Sequence, residues 1–200
     1  AFGDIMGYWR FFPTDDGWGR IPVWGFADVE ASTVEGIAGG ERVYGYFPMS
    51  THLLVTPSRV TPTGFVDAAP HRAELPPVYN QYTRVTEQAA RIDEQAHAVL
   101  RPLFTTSFLI DHWLAAEDRF GAAAVVIASA SSKTALALAE SLRARGGCEV
   151  IGLTSARNLE FVVGLGYYDR VVTYDDIASL DPTVRTVLVD MGGDGAVRAD

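Results

Sequence analysis

The residues best placed to do chemistry are Ser129-Ala130-Ser131-Ser132-Lys133-Thr134-Ala135, small and hydroxylated side chains around the only lysine in the chain. A dinucleotide-binding turn needs a tight bend, close approach of backbone N–H groups to pyrophosphate, and a helix N-terminus aimed at it. Glycines ordinarily supply the first two, and this turn has none. Ala and Ser are the next smallest choices. The hydroxyls of Ser131, Ser132 and Thr134 can donate to phosphate, and Lys133 can add a cation. The same residues also read as a capped helix after a core strand, with Lys133 in water. A mononucleotide P-loop is a third reading, but G-x-x-x-x-G-K-[ST] needs glycines where this chain has Ser and Ala.

Further on stands Thr154-Ser155-Ala156-Arg157, with no acid before Glu160. An NAD site usually has Asp or Glu here to accept from the ribose hydroxyls. A hydroxyl pair followed by Arg suits a 2′-phosphate instead and favours NADP(H). The alternative is that Ser155 caps a helix and Arg157 faces solvent.

These residues need a βαβ unit to position them, and residues 121–154 read as one. Residues 124–128 form a short β-branched run without charge, as in a strand buried on both faces. A helix over 132–145 places Ala135, Leu138, Ala139 and Leu142 on one face, and Gly146-Gly147 stops it. Residues 148–154 return as a second buried strand. Beyond it, 155–163 read as a short helix, 170–174 as a third strand and 186–190 as a fourth. That order belongs to a doubly wound α/β sheet.

The first 85 residues differ, being rich in Gly, Pro, Thr and aromatics. Short strand-like runs at 21–29, 42–47 and 53–56, with Pro57 and Pro62 as breaks, suggest a β-barrel or sandwich. Residues 75–79, LPPVY, read as an extended connector. A helix is expected over 87–100 with Thr86 as its cap. After Pro102 a second helix is expected over 106–119, with Phe108, Leu109 and Trp113 on its buried side.

Two hundred residues, 48% of them hydrophobic, suffice for a real core. A net charge of −9 and a pI near 4.8 argue against a nucleic-acid partner. The single cysteine, Cys148, cannot form an internal disulfide and fits a cytoplasmic setting. No apolar run is long enough to span a membrane, and no signal peptide is visible. The histidines, His52, His71, His97 and His112, are scattered, so no zinc site is expected. The chain opens at Ala1 without methionine and closes on DMGGDGAVRAD, which reads as a piece of a longer protein.

Taken together, the motifs resemble the medium-chain dehydrogenase/reductase superfamily, in its zinc-independent quinone and enoyl reductase (zeta-crystallin-like) branch. They look closest to a bacterial domain-of-unknown-function offshoot. Residues 129–135 match that family's A-A-S-G-G-V-G turn, with its glycines replaced. Val150-Ile151-Gly152-Leu153-Thr154-Ser155, Leu165-Gly166, Arg170-Val171-Val172 and Tyr174 are similar to its second strand, helix end and third strand. VLVDMGG at 187–193 and Gly40-Glu41-Arg42-Val43-Tyr44-Gly45 match two more of its strands. Residues 4–13 resemble the segment that lines its nicotinamide pocket. Gly25-Phe26-Ala27 stands where zinc-dependent relatives carry Gly-His-Glu.

The resemblance implies an α/β protein. A partial GroES-like β-barrel (1–85) and connecting helices (86–120) precede the N-terminal part of a truncated Rossmann doubly wound parallel sheet (121–200). It implies barrel strands before Ala1, further sheet strands after Asp200, exposed apolar edges, and a homodimer in the full-length protein. It also implies hydride transfer from NADPH to a quinone or α,β-unsaturated carbonyl. The cofactor would sit on Ser131, Ser132, Lys133, Thr134, Thr154, Ser155 and Arg157, with Tyr174 at the adenosine end. Tyr8, Tyr46, Thr105 and Thr106 become the candidates for donating to the acceptor oxygen. A silent nucleotide- or small-molecule-binding module on the same fold stays open as the second class of function.

Overall fold

The computed structural model describes residues 2–5, 7–86, 93–193 and 195, which fall into two compact units, 1–99 and 100–200. The helix expected over 87–100 lies partly outside the described residues.

The first unit holds an antiparallel sheet. Strands β1 (Pro22–Asp28), β2 (Arg42–Pro48), β3 (Pro57–Thr61), β4 (Gly64–Asp67) and β5 (Gln81–Arg84) lie in the order β1-β2-β5-β4-β3. Two helical turns, α1 (Phe2–Ile5) and α2 (Tyr8–Phe11), precede it. Expectation and structure differ at two places here. Residues 53–56 are not a strand; pairing starts at Pro57, because β3 is an edge strand and proline is tolerated at its first position. Residues 75–79 are not extended throughout, since Pro77–Asn80 coils into a 3₁₀ turn, where proline needs no N–H to donate.

Strand β2 is buried on both faces. Val43, Gly45 and Phe47 face Tyr82 and Phe65, while Tyr44 and Tyr46 face an aromatic cluster. Gly45 must be glycine, because a Cβ there would lie 2.5 Å from the Tyr82 ring. Beside that ring the unit buries an ion pair. Arg72, 1% exposed, donates from Nη1 to Asp67 Oδ2 at 2.6 Å and to the Tyr82 hydroxyl at 3.1 Å. Its Nη2 donates to the Tyr79 carbonyl at 3.0 Å, and its guanidinium lies 4.9 Å from the Phe12 ring centroid. Asp67 Oδ1 accepts the Thr56 and Ala69 amides, so the carboxylate is well bonded.

The second unit is a parallel sheet flanked by helices. Strands β6 (Ala124–Ile127), β7 (Glu149–Thr154), β8 (Arg170–Thr173) and β9 (Thr186–Val189) lie in the order β8-β7-β6-β9. Renumbered within the unit this is 3-2-1-4, the strand order of a Rossmann half with the start of the next. Helix α4 (Lys133–Arg145) packs Ala135, Leu138, Ala139 and Leu142 on the sheet, as its spacing predicts. Gly146, at φ 71°, ends it. Helix α5 (Leu159–Leu165) starts later than expected.

Helix α3 (Glu94–Ala116) overturns two expectations. It runs unbroken through Pro102, which costs one rung of the ladder without ending the helix. Phe108, Leu109 and Trp113 are not buried but 51%, 58% and 55% exposed. Ser107, Asp111 and Leu114 face inward instead. The reason is specific polar bonding: Ser107 Oγ donates to the Thr134 carbonyl at 2.7 Å, and Arg145 grips Asp111 with two bonds of 3.0 and 2.5 Å. Among the described residues no helix is long and apolar enough to cross a membrane.

Replacing Arg72 with Ala strands a buried carboxylate and is expected to cost about 3–5 kcal/mol in urea unfolding. Replacing Arg170, whose 3.2 Å pair with Glu149 is half exposed, is expected to cost under about 1 kcal/mol. Equal losses would show that the buried pair has no special role.

Candidate functional site

The turn after β6 sits where the strand order reverses, with β7 and β8 on one side and β9 on the other. In open α/β sheets that is where ligands bind. Ser132 caps α4, its Oγ accepting the Ala135 amide at 3.2 Å, so this hydroxyl is committed to the helix. The amides of Lys133 and Thr134 open the helix and have no carbonyl within it to bond. Lys133 is exposed beside them.

Without glycine, the turn is held by side chains. Ser129 adopts φ 53°, a left-handed conformation uncommon for a residue with a side chain. The Tyr174 hydroxyl accepts its amide at 2.9 Å. The Ala130 amide donates to the Leu153 carbonyl, and the Ala130 carbonyl accepts the Tyr168 hydroxyl, both at 2.9 Å. Asn158 Nδ2 donates to Ser131 Oγ at 3.1 Å. Burial pushes the Tyr168 phenol well above its ordinary range, so it stays a donor at any working pH.

At the end of β7, Thr154 is 1% exposed and its Oγ1 has no hydrogen-bond partner among the described residues. By strand alternation it shares the face of Gly152, which looks onto Ala130 and Tyr168. A buried hydroxyl left unbonded is costly, and a ligand oxygen would relieve it. Ser155 makes no capping bond and Arg157 is exposed. The donors here are hydroxyls, amides and two cations, a set that fits a phosphorylated dinucleotide. Ser131, Ser132, Lys133, Thr134, Thr154, Ser155 and Arg157 therefore gather at one end of the parallel sheet. Tyr174 reaches the same turn, its hydroxyl accepting the Ser129 amide.

The catalytic candidates fall in different units. Tyr8 and Tyr46 come together in the first unit, with ring centroids 6.4 Å apart. Thr105 and Thr106 lie on α3 in the second, and their hydroxyls donate to the Arg101 and Pro102 carbonyls of their own helix. Tyr79 completes the phenol cluster at 4.7 Å from Tyr46 and 6.1 Å from Tyr8. It escapes the sequence reading because LPPVY gives no sign that its last residue turns inward. Burial pushes the Tyr79 phenol up to about 12, with a hydrogen bond to Tyr8 adding to the shift. Tyr46 is pushed higher still, again by burial. These groups are proton donors at neutral pH, not bases.

On the other face of β2 lies a cavity of about 920 Å³, with Val43, Phe47, Phe65 and Tyr82 in its lining and His52 among its polar residues. Among the described residues no three His, Cys, Asp or Glu side chains converge on a point that could hold a metal ion.

The family described as "Protein of unknown function (DUF2855)" matches residues 1–200. No curated protein matches the chain. Among solved structures, the chain is similar to the yhdH oxidoreductase of Salmonella enterica in complex with NADP. Identity there is 15% and the TM-score 0.49, over 90% of this chain and 52% of that one. The quinone oxidoreductase of Coxiella burnetii gives 16% and 0.48, over 97% and 55%. The human synaptic vesicle membrane protein VAT-1 homolog-like protein gives 14% and 0.45, over 86% and 48%. The chain thus spans about half the length of these proteins.

Alkaline titration followed by phenolate absorbance tests the cluster. The folded protein is expected to ionise Tyr46 and Tyr168 only above the range of free tyrosine, near 10, and Tyr79 only near 12. A phenol whose folded pKa is raised favours the folded state below its unfolded value. Stability should therefore be full below about pH 10 and fall as pH climbs towards 12. Tyr79→Phe should remove one late-titrating phenol; an unchanged curve would exclude this environment for Tyr79.

Proposed function

The chain belongs to the DUF2855 family, and from that premise we propose that it is an NADP(H)-dependent oxidoreductase. It would transfer a hydride to a quinone or an α,β-unsaturated carbonyl without zinc. The observation that carries this reading is the hydroxyl- and amide-lined turn at the strand-order reversal, with the orphaned Thr154 hydroxyl beside it.

In this reading the Lys133 and Thr134 amides, the Ser131 hydroxyl and the Lys133 ammonium hold the pyrophosphate. Thr154, Ser155 and Arg157 hold the 2′-phosphate end. A bound dinucleotide would supply the hydride. The acceptor oxygen also needs a proton as charge develops there, which a protonated phenol such as Tyr79 could donate and then recover from water. Burial keeps Tyr79 protonated for that role. A cytoplasmic enzyme acting on small carbonyls, and dimeric at full length, is the setting that fits.

A second reading, a binding module without chemistry, is favoured by the cavity of about 920 Å³ in the first unit, which is large enough for a small apolar ligand.

Calorimetric titration of the full-length protein with NADPH and NADH separates these readings. Arg157→Ala is expected to weaken NADPH tenfold or more and NADH by less than about twofold, as loss of a charged hydrogen bond predicts. Equal losses would refute the 2′-phosphate role. No heat at millimolar NADPH would sink the oxidoreductase reading. Binding without turnover of quinones or enones would leave the module.

A further inference from the structure

The cofactor reading leaves open how a turn without glycine presents its donors, and Asn158 answers that. We infer that Asn158 is a positioning residue: by donating to Ser131 Oγ, it directs the Ser131 hydroxyl proton outward, toward the pyrophosphate. The inference rests on the reading of this turn as the dinucleotide site.

A serine hydroxyl has one proton to give and two lone pairs to receive. At 3.1 Å, the Asn158 Nδ2–H occupies a lone pair of Ser131 Oγ. The proton is left to an acceptor elsewhere. Ordinarily a serine so close to a helix start turns its oxygen back onto the backbone. Ser132 does this, taking the Ala135 amide. Ser131 makes no such bond among the described residues, and Asn158 takes one of its lone pairs instead. Two adjacent serines therefore have opposite tasks, one accepting for the helix and one donating away from it.

Asn158 is itself fixed. Its amide donates to the Ser155 carbonyl at 2.9 Å, and its side chain makes no capping bond to α5 although it sits at the N-cap position. Asparagine at an N-cap is normally used there. Here the side chain bypasses α5 and reaches back across the strand ends to the turn after β6. The backbone on either side of Ser131 is also anchored, by Tyr174 on Ser129, Tyr168 on Ala130, and the Ser132 amide on the Ser129 carbonyl at 2.8 Å. Ser131 thus keeps a defined hydroxyl direction on a fixed backbone. Thr154 Oγ1 at the end of β7, buried and without a hydrogen-bond partner among the described residues, is the second sign that a ligand oxygen belongs at these strand ends.

The test is a double-mutant cycle in the full-length protein, read by calorimetry with NADPH and with NADH. Asn158→Ala should weaken both by the same factor, about tenfold, because the pyrophosphate is common to them. Ser131→Ala should do the same. In the double variant the Asn158 change should add less than about twofold, since its effect passes through Ser131. Thermal unfolding and circular dichroism should show both single variants folded. Binding unchanged in Asn158→Ala, a full additional loss in the Ser131→Ala background, or a loss confined to NADPH would each overturn the inference. If the wild-type protein binds neither nucleotide, the cofactor reading itself falls and the inference with it.

Discussion

Close backbone approach at the C-terminal end of β6 is the constraint on which the second unit depends. The chain must leave the strand at Ile127, bend, and enter α4 at Lys133. A glycine turn would do this through its own conformational freedom. This chain keeps side chains in the turn and moves the glycines to what faces it. Gly152 on β7 is one: a Cβ there would stand 2.9 Å from both the Ala130 Cβ and the Tyr168 ring. Gly192 after β9 is another, where a Cβ would come within 2.6 Å of Ser129 Oγ. Space that other turns find in their own residues is found here in their neighbours. Tyr168, Tyr174 and Asn158 then supply the rigidity.

In the first unit a buried cation plays the corresponding part. The Arg72 guanidinium bonds the Tyr79 carbonyl directly. It also bonds the Tyr82 hydroxyl, which in turn donates to the Tyr46 carbonyl at 3.0 Å. Two of the three clustered phenols thus hang from the same side chain. Burying an arginine with its carboxylate yields little net stability compared with an apolar pair, but it fixes one arrangement, because any other leaves a charge unpaired. For the phenol cluster the pair thus fixes one spacing more than it adds stability. Gly64 shows how tight the surroundings are: a Cβ there would lie 2.1 Å from the Tyr82 carbonyl oxygen.

Local pattern shows some of this in the sequence, and long-range polar bonding hides the rest. The βαβ unit is legible because β6 and β7 are short apolar runs and α4 spaces its alanines and leucines three and four apart. The two hydroxyl stretches stand out because small residues at strand ends have few other uses. Nothing in the sequence marks Asn158, which lies 27 residues from the serine it bonds. Arg72 in PHRAE looks like any surface arginine. Tyr79 follows two prolines that suggest extension, and only the 3₁₀ turn brings it to Tyr46.

Helix α3 shows where periodicity fails as a guide to burial. Phe108, Leu109 and Trp113 lie on one side of the helix that, by pattern, belongs in a core. Pattern gives the faces of a helix but not which face is taken. Here two side-chain interactions decide it. Once Asp111 is gripped by Arg145 and Ser107 reaches the Thr134 carbonyl, the helix cannot rotate without stranding a nearly buried carboxylate, 4% exposed. Turning the apolar side inward would bury these side chains only by breaking the Asp111 pair. Rotation would also have to repack Leu114, which is fully buried. The same Ser107 bond ties α3 to the second residue of α4, so the polar face of α3 helps set where the helix carrying the turn begins.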